Sequence, residues 1–160
     1  MNKSLFRSIW IVSALLLLAA CGGSQAPAPA ANAGDRGEAM ETVGDVSIRA
    51  SAVQTSTLND AIAQQYGIAR DAKTVMLLVA IRKGSGASET SLPAKVTASA
   101  AGLSGGKQDI AMRELRTGEL LDYIGTVETS LPETLRFEVT VVRADGATST
   151  LRFNREFYPR

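Results

Sequence analysis

The sequence predicts an all-β domain, an immunoglobulin-like β-sandwich of about seven mainly antiparallel strands with one short helix near residues 57–66. Three observations support this class. Apolar and polar residues alternate with period two in "DVSIRASAV" and again in "TLRFEVTVVR", the pattern of strands with one face in a core. The Asp-Gly pair of "ADGA" at 144–147 has the chemistry of a tight hairpin turn. Long helices, which parallel crossovers require, are missing from the pattern, so neighbouring strands should run antiparallel.

In order along the chain, residues 1–20 hold Lys3 and Arg7, no acid, and an apolar run from Ile9 to Ala20. A positive start, a short apolar stretch and small residues at its end make a secretory signal. The apolar run is about a dozen residues, short of the roughly 20 that span a bilayer. Leu18 and the small residues Ala19-Ala20 lead into Cys21, the only cysteine of the 160 residues. This tetrapeptide resembles the lipobox of bacterial lipoproteins. The resemblance implies cleavage between Ala20 and Cys21, a diacylglycerol on the Cys21 thiol, and acylation of the new amino end with chains of the palmitate class. Several acyl chains satisfy the requirement for stable membrane attachment. Gly22 follows the cysteine, and by the same resemblance the absence of Asp there implies the outer membrane, with the domain facing the periplasm.

Residues 21–42 form the lipidated cysteine and a tether rich in Ala, Pro and Gly. They show neither helical nor strand period and cannot bury a core. Ala-Pro repeats stiffen such a segment, which would reach roughly 25 Å as a coil and about 60 Å when extended.

Residues 43–160 carry the domain. Val46, Ile48, Ala50 and Ala52 fall on one face of a first strand. In "STLNDAIAQQYGIA", Ser56 or Thr57 is placed to cap a helix, Leu58, Ile62 and Tyr66 form its stripe, and Gly67 suits its stop. "TVMLLVAIR" is apolar on both faces, as in a central strand. "AKVTASA", "DIAMREL" and "LLDYIGTVET" read as further strands, with "GLSGGKQ" as a glycine-rich turn. Leu135, Phe137, Val139 and Val141 point one way from the next strand, and Leu151 and Phe153 answer them from "TSTLRFNREF".

Four segments together, "GDVSIRASAVQTSTL", "AIAQQYGI", "RELRTGELLDYIGTVETS" and "LRFNREFYP", resemble a bacterial envelope family known as domain of unknown function 4426. The resemblance covers about residues 43–160. It implies an exported β-rich domain with a helix ending in Tyr-Gly-Ile, closed by the aromatic pair Phe157 and Tyr158. It carries over no catalytic residue. Many relatives have an ordinary signal, and this chain departs from them in its lipobox and long tether.

The chemical inventory is sparse. The chain has no histidine, hence no imidazole base or ligand, and Cys21 is committed to lipid, so neither a metal site nor a cofactor is expected. Among 17 basic and 16 acidic residues, cleavage removes Lys3 and Arg7, which leaves acids in excess by one. Such a chain lacks the basic footprint of nucleic-acid binding. Ser104 and Lys107 match a Ser-x-x-Lys spacing, but they sit in the glycine-rich turn without the partner motifs of that enzyme class. Glu119 and Asp122 could form an acid–base pair, though acids at strand ends are usually solvated. Arg152, Arg155, Tyr158 and Arg160 are the candidate partner surface, because Arg and Tyr are enriched at interface hot spots. The expected protein is therefore a non-enzymatic, lipid-anchored interaction or structural module with an envelope protein partner. The alternatives are an envelope hydrolase using Ser and carboxylates, or a carrier of a small ligand in the sandwich interior.

Overall fold

The computed structural model describes residues 38–103 and 105–160. Two antiparallel sheets face each other, so the predicted β-sandwich is the observed fold. The first sheet contains β1 (Glu38–Val43), β2 (Val46–Gln54), β3 (Thr74–Lys83), β4 (Thr90–Ser91), β7 (Arg113–Thr117) and β8 (Leu120–Glu128). Its order is β1-β2-β3-β8-β7, with the short β4 on the far end of β3. The second sheet contains β5 (Ala94–Ala101), β6 (Lys107–Ile110), β9 (Glu133–Arg143) and β10 (Thr148–Phe157), in the order β10-β9-β5-β6.

The strands thus number ten among the described residues, against about seven expected. The additions are the strands with the weakest pattern. β4 has two residues, and β6 and β7 divide "KQDIAMRELRT", which read as one strand from its middle onward. β1 begins at Glu38, inside the stretch read as tether. Of its six residues only Ala39 is buried, as befits an edge strand, so periodicity gave it no signal.

The alternating strands fold as their pattern dictates. Ile48, Ala50 and Ala52 of β2 meet Val75, Leu77 and Val79 of β3 in the core. From the other sheet come Leu135, Phe137 and Val139, with Phe137 stacked on Phe153 at 5.0 Å between ring centroids. Ala100 stands opposite Phe137 in the sheet, small beside large. Phe157 packs edge-on against Phe137 and closes one end of the core, whereas its expected partner Tyr158 is 57% exposed. Stacked and edge-on aromatic pairs add about 1 kcal/mol each to the burial of their area. Between the sheets, the backbone N–H of Ala94 donates to the Tyr123 hydroxyl at 2.8 Å, which satisfies a phenol whose ring is in the core.

Among the described residues there is one α-helix, α1 (Asp60–Tyr66), between β2 and β3, and its Gln65 side-chain amide donates to the Thr117 hydroxyl of β7 at 3.3 Å. Asn59 caps it, accepting from the Ile62 N–H at 2.8 Å, in place of the Ser56 or Thr57 suggested by sequence. Residues Thr55–Thr57 form a separate 3-10 turn, and the Thr57 hydroxyl donates to the Gln54 carbonyl at 2.7 Å instead. Gly67 ends the helix in the left-handed conformation at φ 61°, as its position predicts. Ala63 is the buried residue of the helix; Ile62 and Tyr66 are only half-buried.

Candidate functional site

β10 is an alternating strand, and its parity decides which of the candidate surface residues can meet. Leu151, Phe153 and Phe157 point to the core, and Arg155 shares their parity. Arg152 points the opposite way. It pairs with Glu138 of β9 on the outer face of the second sheet at 2.8 Å, and Lys107 approaches the same carboxylate at 3.5 Å. Arg152 therefore does not belong with the other three candidates, a correction that follows from the odd spacing between residues 152 and 155.

Arg155, Tyr158 and Arg160 do come together. With Gln54, Thr57, Glu156 and Phe157 they line a recess of about 160 Å³ at the pole where β2 and β10 end. Gln54 is the buried wall of this recess, 5% exposed. Its side-chain amide donates to the carbonyls of Ala72 and Tyr158, each at 3.0 Å, and so pins the C-terminal segment to the end of β2. The Arg155 guanidinium lies over the Phe157 ring, 5.6 Å from its centroid. Burial holds the Arg155 guanidinium below its ordinary value; the nearby charge of Arg160 acts in the same direction and that of Glu38 opposes it. The Tyr158 hydroxyl donates to Glu156, and this bond pushes the phenol up from its ordinary value.

A second recess of about 170 Å³ adjoins the first and shares Glu156, Phe157 and Tyr158 with it. Leu103, 66% exposed, and Tyr158 are the exposed large apolar residues of this pole. Sequence reasoning missed Gln54. The signal was present, since Gln54 continues the inward register of Val46, Ile48, Ala50 and Ala52. A polar residue at an inward position must find partners or face a cavity.

Elsewhere, a recess of about 240 Å³ separates Gly67-Ile68-Ala69, the segment leaving α1, from Ile124, Gly125 and Thr126 of β8. Arg113 of β7 reaches across to the Tyr66 carbonyl. The acids considered for catalysis do not form a pair. Glu119 is exposed in the turn between β7 and β8. Asp122 is bound to Arg82, whose Nη1 also donates to the Leu121 carbonyl at 3.0 Å. Ser104, Cys21 and the Ala20–Cys21 bond lie outside the described residues. Among the described residues, no group of His, Cys, Asp and Glu could hold a metal ion, and no helix is long and apolar enough to cross a membrane.

A family model described as "Domain of unknown function (DUF4426)" matches residues 40–160. The fold is similar to the crystal structure of a DUF4426 family protein from Pseudomonas aeruginosa, with a TM-score of 0.64 and 24% sequence identity. That similarity covers 78% of this chain and 97% of the other. The curated proteins contain no match.

Proposed function

The chain belongs to the DUF4426 family, and we propose that it acts as a lipid-anchored member, held at the bacterial envelope through Cys21 and working by protein contacts without catalysis. The observation that carries this reading is the order of its segments. A charged start with Lys3 and Arg7, an apolar run and Leu18-Ala19-Ala20-Cys21 precede a Pro- and Ala-rich stretch and then one folded domain. β1 takes up the chain at Glu38, which leaves a tether of about 16 residues, able to reach roughly 50 Å when drawn out. Outer-membrane attachment with the domain in the periplasm is the finer form of the proposal, supported by Gly22.

The partner-facing surface in this reading is the C-terminal pole, where Tyr158 and Leu103 are exposed beside Arg155 and Arg160. Exposed aromatic and guanidinium groups are the side chains that most often carry interface energy. The space between the sheets is filled by Phe137, Phe153, Leu77 and their neighbours, so a ligand-carrying role attaches to the surface recesses and not to the interior.

The anchor is tested by metabolic labelling with a fatty acid. Cys21→Ser should lose the label and accumulate as precursor; a labelled Cys21→Ser chain would overturn the anchor. Crosslinking in intact envelopes from a photoreactive residue at position 158 tests the contact role. One reproducible protein neighbour is expected, and crosslinks to none would remove this role.

A further inference from the structure

We propose that β1 (Glu38–Val43) is a self-pairing edge, to which a second copy of this chain adds its own β1, antiparallel, about a two-fold axis at Met40. β1 ends the first sheet, with β2 on one side and, among the described residues, no strand paired on the other. The turn Gly44–Asp45 closes its hairpin with β2, so the flanking pair Val43–Val46 is a hydrogen-bonded one. Bonding alternates from there. Ala39 and Glu41 direct their main-chain groups to β2, and those of Glu38, Met40 and Thr42 face out from the sheet edge. All three of these residues are exposed. β10 comes near through Ser149, whose hydroxyl donates to Glu41 at 3.2 Å, but β1 and β10 are not paired as strands.

A bare edge is a template for another strand unless charge or proline guards it. Cations stand on the other edge strands: Lys107 in β6, Arg113 and Arg116 in β7, Arg152 in β10. β1 holds no Lys, Arg or Pro. It carries two of the exposed large apolar residues instead, Met40 at 59% and Val43 at 42%. Met40 stands beside Arg49 of β2 on the outer face of the sheet, where a neighbouring strand would cover it.

Charge selects both the occupant and the register. Two copies of one strand, related by a two-fold, continue each face of the sheet only when residues of like parity meet. With Met40 opposite its own copy, Glu38 meets Thr42 and Glu41 meets Ala39, so no acid lies opposite an acid. Moving the axis one residue sets Glu41 against Glu41, a like-charge pair that disfavours that register. In the Met40 register the outward groups of Glu38, Met40 and Thr42 meet those of Thr42, Met40 and Glu38, and each donor finds an acceptor. The interface is small, so the pairing belongs to the weak and reversible class. It is separate from the C-terminal pole and does not rest on the lipid anchor.

The test is gentle oxidation of the full chain, purified in a non-ionic detergent, with the unmodified chain as the baseline. Met40→Cys should give a disulfide-linked dimer, because directly opposed residues of a bonded antiparallel pair have Cα atoms about 5.5 Å apart, within disulfide range. Glu38→Cys and Thr42→Cys should each stay unlinked alone and link when mixed, at least fivefold above either alone. Failure of Met40→Cys to link above the baseline would overturn the proposal, as would Thr42→Cys alone linking as well as the mixture. Amide exchange read by NMR gives a second measure that needs no cysteine. Raising the protein concentration should slow exchange at Met40 and Thr42 and leave Ala39 and Glu41, already bonded to β2, unchanged. Met40→Lys, which sets like charges on the axis, should remove that concentration dependence. Equal slowing at all four residues, slowing at none, or an unchanged pattern in Met40→Lys would each refute the pairing.

Discussion

Gln54 holds Tyr158 across 104 residues of sequence, its side-chain amide donating to the Tyr158 carbonyl at 3.0 Å. The other amide hydrogen takes the Ala72 carbonyl at the same distance, so one buried side chain joins β2, the approach to β3 and the C-terminal segment.

Replacing it should separate those elements. Gln54→Leu keeps the bulk and removes both donors, leaving two carbonyls at this pole without them. The expected loss is about 1–3 kcal/mol. Urea denaturation should show a lowered midpoint with an unchanged slope. Backbone amide exchange in residues 155–160 should rise more than at Phe137. A midpoint equal to that of the unmodified chain would refute the assigned role.

Arg82 and Asp122 form an ion pair on the outer face of the first sheet, with side chains 12% and 16% exposed. Arg82→Met alone strands the carboxylate and should cost about 3–5 kcal/mol. Adding Asp122→Leu removes the stranded charge and should recover most of that loss. A double-mutant cycle by denaturation reads this directly, and additive losses would contradict a coupled pair.

At Gly125, the absence of a side chain is required by the strands crossing between sheets. A Cβ there would lie 2.5 Å from Ile110 Cγ2, 2.8 Å from the Ala111 carbonyl oxygen and 2.9 Å from Met112 Sδ. The carbonyl is backbone, and it lies in the two-residue link that carries the chain from β6 to β7. Gly125→Ala should destabilise the domain by about 1–3 kcal/mol. NMR shift changes should concentrate at residues 107–117.

The Glu138 carboxyl is held below its ordinary value, first by its hydrogen bond to Arg152 and by that residue's charge, then by Lys107. A depressed carboxyl stabilises the fold at pH above its unfolded value. That contribution fades as pH falls through the folded value. Arg152→Gln should move the Glu138 titration upward, as read by carbon NMR of the carboxyl. Because the pair is solvent-accessible, the effect on stability should be small and should shrink with salt.

The sandwich was legible where one rule dominated. In β2 and β9, inward apolar residues alternate without a break, and the burial repeats the pattern position by position. The aromatic end came from the family resemblance, and it held for Phe157 but not for its expected partner Tyr158, which is exposed. β1 was not, because an edge strand with one buried residue leaves no periodic trace. The helix cap moved from Ser56 or Thr57 to Asn59 because the Gln54 carbonyl claims the Thr57 hydroxyl, a tertiary constraint. Within the candidate site, the arginines were legible as a cluster but not as two sets. Strand parity would have divided them, since Arg152 and Arg155 differ by an odd number. The recess itself required knowing that the ends of β2 and β10 share a pole, a property of topology that local pattern does not hold.

The hairpin of β1 and β2 is closed at its Gly44–Asp45 end and open at the Glu38–Ser51 pair. A pull on residue 38 therefore acts on the open end of a zipper. It would break the pairs one at a time from Glu38–Ser51 toward Val43–Val46, a mechanically soft mode compared with sliding all of them at once. Strain in the leading segment would then be relieved by peeling an edge strand while Phe137 and its neighbours stay packed. The domain thus has a built-in order of yielding under load, with β1 acting as the fuse.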